Sequence, residues 1–481
     1  MLQLVGGNSL IGNDFYESHL DLDDDTLYKI NCFDWNSKFR DIMKTGGFDV
    51  VIGNPPYVQI QGMERELKEG YKEANYKNYI STGDIYQLFF EKGLDVLKIG
   101  GIVGMITSNK WMRAGYGAIT RDYFYRNANV NGVIDLGGGR FKGATVDTSI
   151  ILYSKKDDEI KINEPREFKA IKFYDDLIEL NNIQFGDDKV IAHYDKEWVI
   201  MNNIENSIFE KIIKHKPLKD WNINIYRGIV TGLSEVFFID EETKNNLINE
   251  DAKSADLIKP LLKGRDMRRY YCIHNNLYLI NTHNGIKEKN IPPINIKDYP
   301  AIKKHLDKYY KELSKRGDKG ETPYNLRNCA YLDYFDKPKI MFNKASKINA
   351  FYLDNEGKYY GDVTTYILSS NNLEYLLAIL NSHMFYYAYN KYYVGGGIEG
   401  ELTLFTLENF PIPDPDKDTE NKLVNLVDNI IDLNKKLSSE KNPNTIEMLN
   451  TRIQAVDAAI DKIVYSLYNL TDEEIRVIEG E

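Results

Sequence analysis

The chain has 481 residues, a formal net charge of −11 and three cysteines. Its length suggests roughly two or three domains, and the absence of both a long uncharged apolar run and a basic, apolar leader excludes a membrane span and a signal peptide, so we expect a cytoplasmic protein. The acidic balance argues against a protein that coats nucleic acid non-specifically, although it leaves room for a local basic cleft. The cysteines are odd in number and far apart, which predicts neither a disulfide framework nor a metal site.

The first part of the chain has the pattern of an α/β domain. Short apolar runs rich in β-branched residues predict buried strands at Phe48–Gly53, Gly101–Thr107, Val133–Leu136 and Thr148–Tyr153. Between the first two runs, apolar residues recur every three or four positions and predict a helix over Asp84–Lys98. Strand, helix and strand in this order predict a parallel, doubly wound sheet.

The loop Asn54-Pro55-Pro56-Tyr57 directly follows the first predicted strand. The exocyclic amine of a base is nearly inert, because its lone pair is delocalised into the ring, and two acceptors that each take one N–H can re-aim it. The Asn54 side chain and the Pro55 carbonyl suit that task, and Tyr57 can stack on a base flipped out of the duplex. A simple turn is the alternative interpretation, but the carboxyl edge of a parallel sheet is where open α/β folds hold their ligands.

Residues 155–195 are polar and charged, which predicts exposed turns or a linker. A second domain of mixed α and β pattern is predicted to begin near Trp198 and to end at Phe410–Pro415, where three prolines should stop any regular element. Its predicted elements are strands at Val236–Ile239, Tyr278–Ile280, Lys339–Phe342 and Val363–Leu368 and a helix at Leu373–Tyr389.

The last part of the chain predicts a helical hairpin. Apolar residues alternate by three and four from Leu423 to Leu437 and again from Ile446 to Leu467, with Pro443 between the two series. An apolar seam of this kind is expected to pack on the preceding domain, and pairing between subunits is the alternative.

Basic candidates for DNA binding occur in the second domain, where they are suited to hold phosphates or to fork onto guanine edges. A solvated face is the alternative interpretation of each one. Many of the 35 tyrosines also fall between residues 270 and 393, which suits stacking on bases, although half-buried strands have a similar composition. The candidates are Lys263, Arg265, Arg268 and Arg269, which form one cluster, and the separate Arg227 and Lys344.

The segment Phe48–Val58 resembles the catalytic motif of the γ-type N6-adenine DNA methyltransferases, especially those of type IIG restriction-modification systems. The likeness continues at Gly83–Tyr86 and Gly100–Ser108, which are similar to the helix and strand that follow the motif in that family. Phe141–Ile150 resembles the segment whose aromatic residue packs against the flipped adenine, so the resemblance implies this role for Phe141. An ordinary core phenylalanine is the alternative.

The second domain resembles the TaqI-like C-terminal specificity domain. The matching segments are Tyr226–Ile239, Leu262–Tyr270, Lys339–Phe342 and Ala378–His383. The resemblance implies that this domain closes over double-stranded DNA and reads the target sequence.

The resemblance also implies S-adenosylmethionine as cofactor, but the Gly-rich loop that opens its pocket in the family does not precede Asn54. Asn8 and Ser9 lie in a segment similar to the motif that binds the cofactor adenine, with Asn8 where the family has Asp, and Phe33 and Asp34 are further candidates for the pocket wall. We therefore expect an incomplete pocket that an upstream polypeptide or N-terminal segment completes. Without the first strands, the sheet should expose an edge and apolar surface.

Together these patterns predict an α/β fold with a partial Rossmann-like methyltransferase sheet, a mixed α+β target-recognition domain and a C-terminal helical hairpin, with limits at 1–175, 195–416 and 417–481. The predicted function is site-specific adenine-N6 DNA methylation in a restriction-modification or phage-defence system. A catalytically inactive DNA-binding specificity module, or a subunit that needs a partner for cofactor binding, is the alternative. A nuclease site built on Pro413-Asp414 and Glu420-Asn-Lys422 is judged a chance match, because proline-rich sequence at a helix start is a poor setting for metal ligands.

Overall fold

The computed structural model describes residues 5–138, 147–156, 164–173, 185–192, 196–344, 350–393 and 404–480. The chain separates into two compact units, the first reaching Asn206 and the second beginning at Ser207. Within the described ranges, no helix combines the length and the apolar character needed to cross a membrane.

The first unit is built on a seven-stranded sheet in the order β1-β2-β4-β3-β5-β6-β7. Its strands are β1 (Phe48–Gly53), β2 (Leu97–Ser108), β3 (Ala128–Gly137), β4 (Thr148–Lys155), β5 (Arg166–Lys172), β6 (Lys189–Ala192) and β7 (Ile200–Met201). Its helices are α1 (Asp14–Ser18), α2 (Asp24–Ile30), α3 (Trp35–Lys38), α4 (Arg40–Lys44), α5 (Arg65–Glu73), α6 (Tyr86–Val96) and α7 (Ala118–Asn127).

Parallel pairing is confirmed for β1 and β2, which α6 connects, and it also occurs between β3 and β5. It is wrong for β4, which runs antiparallel to both β2 and β3. The predicted turns or linker of residues 155–195 also need correction, because this stretch supplies β5 and β6 to the sheet. Polar side chains on a short strand weaken the apolar pattern by which strands are recognised.

The prediction that Phe48–Gly53 is a buried strand is correct about the strand and wrong about its burial. In the described part of the sheet, β1 lies at the edge and pairs with β2 alone. Val50 is 53% exposed and Ile52 is 84% exposed, and Val50 pairs with Ile102, which is 36% exposed. Side chains alternate between the faces of a strand, so one face is apolar and open. The neighbouring β2 residues Val103 and Met105 are buried.

The second unit contains two four-stranded sheets, in the orders β10-β14-β11-β17 and β16-β15-β18-β9. Its strands are β8 (Lys216–Pro217), β9 (Asn224–Arg227), β10 (Phe238–Ile239), β11 (Ile258–Leu262), β12 (Met267–Arg268), β13 (Tyr271–Cys272), β14 (Tyr278–Ile280), β15 (Lys339–Asn343), β16 (Tyr352–Asp354), β17 (Tyr360–Gly361), β18 (Thr365–Ser369) and β19 (Pro411–Ile412). The remaining helices of the chain are α8 (Asn203–Ile212), α9 (Ser234–Phe237), α10 (Glu241–Glu250), α11 (Ser254–Leu257), α12 (Pro300–Asp307), α13 (Tyr310–Lys315), α14 (Leu373–Asn381), α15 (His383–Ala388), α16 (Leu404–Glu408), α17 (Lys417–Ser439), α18 (Pro443–Leu467) and α19 (Asp472–Glu479).

Several element limits in this unit differ from the prediction. The predicted strand at Val236–Ile239 is half correct, because its first two residues end helix α9 and its last two form β10. The predicted helix at Leu373–Tyr389 is interrupted at Ser382, whose side chain accepts a hydrogen bond from the Phe385 N–H and caps α15. The prolines after Phe410 do not exclude regular structure, because β19 pairs with β8, which is itself only two residues long. Proline is tolerated in short strands of this kind.

The helical hairpin is confirmed as α17 and α18. Asp416 caps α17 and Asn442 caps α18, and Pro443 occupies the first turn of α18, where its missing N–H costs nothing. Helix α17 contacts α14 and α18 of the same unit. Its apolar residues Leu423, Val427, Ile430 and Leu433 are buried.

A group of ionic contacts joins α18 to the basic segment after β12, and we call it the C-terminal clasp. Arg269 Nη2 lies 2.7 Å from Asp457 Oδ1 and 3.7 Å from Asp461 Oδ2. The His383 backbone N–H donates to Asp461 Oδ1 at 2.9 Å, and His383 Nδ1 lies 2.7 Å from Asp461 Oδ2. The clasp therefore consists of Arg269, His383, Asp457 and Asp461.

The clasp predicts a pH-dependent contribution to stability. The hydrogen bond with Asp461 raises the pKa of His383, against the effect of burial. The contribution is therefore complete below the unfolded pKa of about 6.5 and is lost as the pH rises through the folded value. Because the His383 side chain is 52% exposed, we expect only about 0–1 kcal/mol. Thermal unfolding of the wild type and His383→Asn should differ at pH 6 and converge towards pH 8, and a difference that grows with pH contradicts this account.

Candidate functional site

The loop Asn54-Pro55-Pro56-Tyr57 leaves the sheet at the carboxyl end of β1. Gly53, the last residue of β1, pairs with Met105, and a Cβ at Gly53 would lie 2.5 Å from Met105 Sδ. Glycine therefore allows the close approach at this point. Asn54 is exposed and Pro55 is buried, so the loop has a fixed base and an accessible amide.

Tyr57 is held in place by contacts with the strands and helix beneath the loop. Its hydroxyl donates to the Ile106 carbonyl oxygen at 3.2 Å, and its ring lies edge-on to Tyr86 with 6.1 Å between the ring centroids. Burial raises the pKa of the Tyr57 phenol, so it stays neutral at ordinary pH. The loop thus presents a half-buried aromatic ring near its exposed amide.

The chain after the loop is fastened to the segment that precedes α6. The Ile85 N–H donates to the Val58 carbonyl oxygen at 2.9 Å, and the Ile60 N–H donates to the Gly83 carbonyl oxygen at 2.9 Å. The structure therefore joins two segments that were singled out separately for their family resemblance. These backbone bonds fix the direction in which the loop returns to the fold.

Polar residues that the sequence interpretation missed lie beside these elements. The Tyr116 hydroxyl donates to Asp84 Oδ2 at 2.8 Å and lies 3.1 Å from the Tyr86 hydroxyl. At the carboxyl ends of β2 and β3, Asn109 Nδ2 donates to Asp135 Oδ1 at 3.2 Å. The positions of Asn109 and Asp135 at strand ends could have marked them as site candidates, whereas no local sequence pattern indicates Tyr116.

The cofactor candidates near the N-terminus come together in space. Asn8 forms an isolated bridge with Cys32, Trp35 Nε1 donates to the Ser9 carbonyl oxygen at 3.0 Å, and the Phe33 N–H donates to the Ile11 carbonyl oxygen at 2.9 Å. The polar groups also have local partners. Asn8 Oδ1 accepts from the Leu10 N–H at 3.2 Å, and Asp34 caps α3 through the Asn36 N–H at 2.9 Å. Phe33 is buried.

The fifth catalytic candidate, Phe141, lies outside the described residues.

Three arginines of the predicted basic cluster, Arg265, Arg268 and Arg269, line one cavity of about 680 Å³ together with His383. Arg265 is exposed, Arg268 donates to the carbonyl oxygens of Arg265 and Met267, and Arg269 belongs to the clasp. The members of the cluster therefore differ in how free their side chains are to meet a ligand.

The other basic candidates are not among the described residues that line this cavity. The Lys263 ammonium is 6.0 Å from the centre of the Phe238 ring, and the Lys344 N–H donates to the Thr364 carbonyl oxygen at 3.0 Å. Arg227 ends β9 and lines a different cavity of about 230 Å³.

Two family models match this chain. The Eco57I restriction-modification methylase matches residues 3–141, and the TaqI-like C-terminal specificity domain matches residues 259–412. The chain carries an Eco57I-like methylase domain and a TaqI-like specificity domain. The family resemblance inferred from the loop and from the second domain is thereby confirmed.

The relatives of this two-domain chain are restriction-modification proteins. The type II methyltransferase M.BstVI of Geobacillus stearothermophilus is 22% identical over 461 residues, which cover 90% of this chain and 75% of that protein. The type II methyltransferase M.BanIII of Aneurinibacillus aneurinilyticus is 23% identical over 442 residues, covering 80% of this chain and 73% of that protein. The type IIL restriction-modification enzyme MmeI, solved in complex with DNA, has a TM-score of 0.58 at 14% identity. It supports the fold, and the match covers 93% of this chain but 57% of MmeI.

The different environments of Arg269 and Arg265 predict different consequences of substitution. Arg269→Ala removes the guanidinium from Asp457 and from the 6%-exposed Asp461, which should cost about 1–3 kcal/mol and lower the melting midpoint by several degrees. The matched substitution Arg265→Ala, at an exposed residue of the same cavity, should leave the midpoint unchanged. Equal midpoints for both variants, measured by thermal unfolding, contradict a structural role for Arg269.

Proposed function

We propose that this chain is the catalytic and target-reading portion of a site-specific adenine-N6 DNA methyltransferase of a restriction-modification or phage-defence system. The observation that carries the proposal is the exposed Asn54 amide on a loop at the carboxyl end of a parallel strand, inside a matched methylase domain. We place the catalytic domain at 1–175, the target-recognition domain at 195–416 and the hairpin at 417–481.

Asn54 and Pro55 supply the acceptors of the reaction. Asn54 Oδ1 takes one N–H of the adenine amine and the Pro55 carbonyl takes the other, so that the nitrogen lone pair turns out of the ring plane. Tyr57 offers its ring to the flipped base, and the bond from its hydroxyl to the Ile106 carbonyl keeps that ring from rotating away. We assign Phe141 to the opposite side of the base from the family resemblance alone.

S-adenosylmethionine supplies the methyl group when it is bound. The cofactor candidates near the N-terminus fit only one wall of its site, because two of their polar groups already have local partners. Asn8 Oδ1 and the Asp34 carboxylate each accept a hydrogen bond from a local N–H group. The candidates are Asn8, Ser9, Phe33 and Asp34. An Asn side chain at position 8 still offers hydrogen bonds to an adenine amine, without the charge of Asp. We therefore propose that a further polypeptide, upstream in the chain or separate, completes the cofactor pocket.

Asn54→Ala should lower kcat for methyl transfer by at least about 100-fold and leave the Kd for DNA nearly unchanged. The physical reason is the loss of one acceptor that acts on the amine only during the reaction. The measurement is transfer of labelled methyl to DNA by the assembled enzyme. Asn450→Ala, at an exposed residue of α18, is the matched control and should keep full activity. Retained activity in Asn54→Ala refutes the role of Asn54.

The edge strand β1 provides the surface on which the polypeptide that completes the cofactor pocket is proposed to dock. Unpaired N–H and C=O groups along an edge accept an added strand, and Ile52 and Val50 offer an apolar face for a covering helix. Parallel sheets are normally covered on both faces, so a strand-and-helix unit is the occupant that fits both features.

Ile52→Lys should prevent this docking, because it places a charge where apolar burial is required. The probe is the polypeptide encoded immediately upstream, added to the chain, with S-adenosylmethionine binding followed by calorimetry. We expect cofactor binding by the wild-type mixture and its loss in Ile52→Lys. Met448→Lys, at a 51%-exposed apolar residue of α18, should bind normally. Equal cofactor binding by Ile52→Lys and the wild type contradicts the docking surface.

A catalytically inactive DNA-binding module is the second candidate, because Asn8 Oδ1 and the Asp34 carboxylate already accept hydrogen bonds from local N–H groups. Calorimetry with S-adenosylmethionine separates the two functions. Binding by the mixture of chain and upstream polypeptide supports the enzyme, whereas no binding by either the chain or the mixture leaves the DNA-binding module.

A further inference from the structure

The 230 Å³ cavity beside Arg227 lies in the second unit, between the end of β9 and the loop that follows β14. Among the described residues, its lining contains no Asp or Glu, although acidic residues exceed basic ones in the chain as a whole. The polar side chains that line it belong to Arg227, Asn281, His283, Arg327, Asn328 and Tyr331.

The guanidinium groups of Arg227 and Arg327 give the cavity its charge. Arg227 Nε donates to the Val363 carbonyl oxygen at 3.3 Å, and in the described part of the chain no carboxylate lies within ion-pair distance of it. Among the described residues, Arg327 has one ion pair, in which its Nη1 lies 3.3 Å from Asp318 Oδ1. The Arg327 side chain is 62% exposed. Burial raises the pKa of Tyr331 to about 12, and both arginines act on this phenol in the opposite direction. Both guanidinium charges therefore lie near enough to this phenol to lower its pKa.

His283 and Asn281 add hydrogen-bonding groups to the cavity wall. His283 Nδ1 accepts from the Gly285 N–H at 3.1 Å, so the proton of the neutral ring lies on Nε2, and burial lowers the pKa of this histidine. Asn281 is 4% exposed, and its Oδ1 has no hydrogen-bond partner within the described residues. Rotation of the amide presents an N–H donor at the same place. Cations and donors without a carboxylate form a site for an anion.

Rigid elements hold this site. Arg227 pairs with Tyr366 across β9 and β18, and the next residue, Gly228, donates to the Thr365 carbonyl oxygen at 2.9 Å. A Cβ at Gly228 would lie 1.9 Å from the Asp362 carbonyl oxygen, so only glycine permits this close backbone approach. The Arg227 backbone is thereby fixed at the mouth of the cavity.

We propose that this Arg227–Arg327 pocket seats a backbone phosphate of the DNA target. The proposal rests on the proposed function, since it names the chemistry by which the second unit holds its DNA. Base edges lie within the grooves and are read by side chains that project into them, whereas phosphates project from the duplex and enter a concave site. The shape and charge of the pocket therefore favour a phosphodiester over a base edge.

The test is the salt dependence of DNA binding by the full chain. A mixed-sequence duplex is titrated with wild type, Arg227→Gln, Arg327→Gln and the double variant over a range of salt concentrations. If each arginine contributes to one phosphate contact, each single variant should weaken binding, and the double variant should reduce the slope of log Kd against log salt by about 0.9. The loss should be the same on duplexes of unrelated sequence.

Four controls accompany this measurement. Arg452→Gln, at an exposed residue of α18, should leave the slope unchanged, and the Arg227→Lys, Arg327→Lys variant should retain it because the charges remain. Thermal unfolding should show equal midpoints for all variants. Inorganic phosphate, titrated into the chain by calorimetry, should bind weakly at most, because a free phosphate lacks the remaining contacts of the duplex.

An unchanged slope in the double variant overturns the pocket proposal and leaves the proposed function standing. A loss confined to one DNA sequence also overturns it, since that result indicates base reading. Tight binding of inorganic phosphate reassigns the pocket to a free anion. If the wild-type chain binds no DNA with its upstream polypeptide present, the proposed function fails together with the pocket.

Discussion

The parallel pairing of β1 with β2 is the constraint on which the rest of the first unit depends. It places the Asn54 loop and the Asn109–Asp135 contact at the same edge of the sheet, because parallel strands end together. It also pairs Gly53 with Met105 of β2, and the Tyr57 hydroxyl donates to the carbonyl oxygen of the next β2 residue, Ile106. The loop is therefore positioned by the backbone pairing below it together with the Tyr57 side chain.

In the described part of the sheet, β1 has one neighbouring strand and an open apolar face, and this exposure bears on the proposed function. An exposed Ile52 is unfavourable for an isolated sheet and favourable for a surface that another polypeptide covers.

The arginines of the second unit differ in whether they are held by carboxylates of the same unit. Arg269 forms ion pairs with Asp457 and Asp461 in the clasp, whereas Arg265, Arg227 and Arg327 are exposed in a chain of net negative charge. DNA affinity then depends on a few placed charges rather than on overall charge.

Sequence alone predicted the parts of this molecule whose signal is local. The strand before Asn54, the connecting helix and the helical hairpin each have an apolar period that can be counted, and all three are present. The antiparallel β4 and the exposure of β1 were not predictable, because direction and burial depend on which strands become neighbours. The separation of Arg269 from Arg265 also required coordinates, since its partner Asp457 lies far along the chain. Arg327 was missed because it stands alone in sequence and meets Arg227 only in the folded unit.

The most direct test of the central claim identifies the base that is modified. DNA is incubated with S-adenosylmethionine, the chain and the polypeptide proposed to complete its cofactor pocket, and is then digested to nucleosides and analysed by mass spectrometry. We expect N6-methyl-2′-deoxyadenosine, because the proposed Asn54 and Pro55 acceptors turn an adenine amine towards the methyl donor. Methylated cytosine as the product, or unmodified DNA from an assembly that binds both cofactor and duplex, would contradict it.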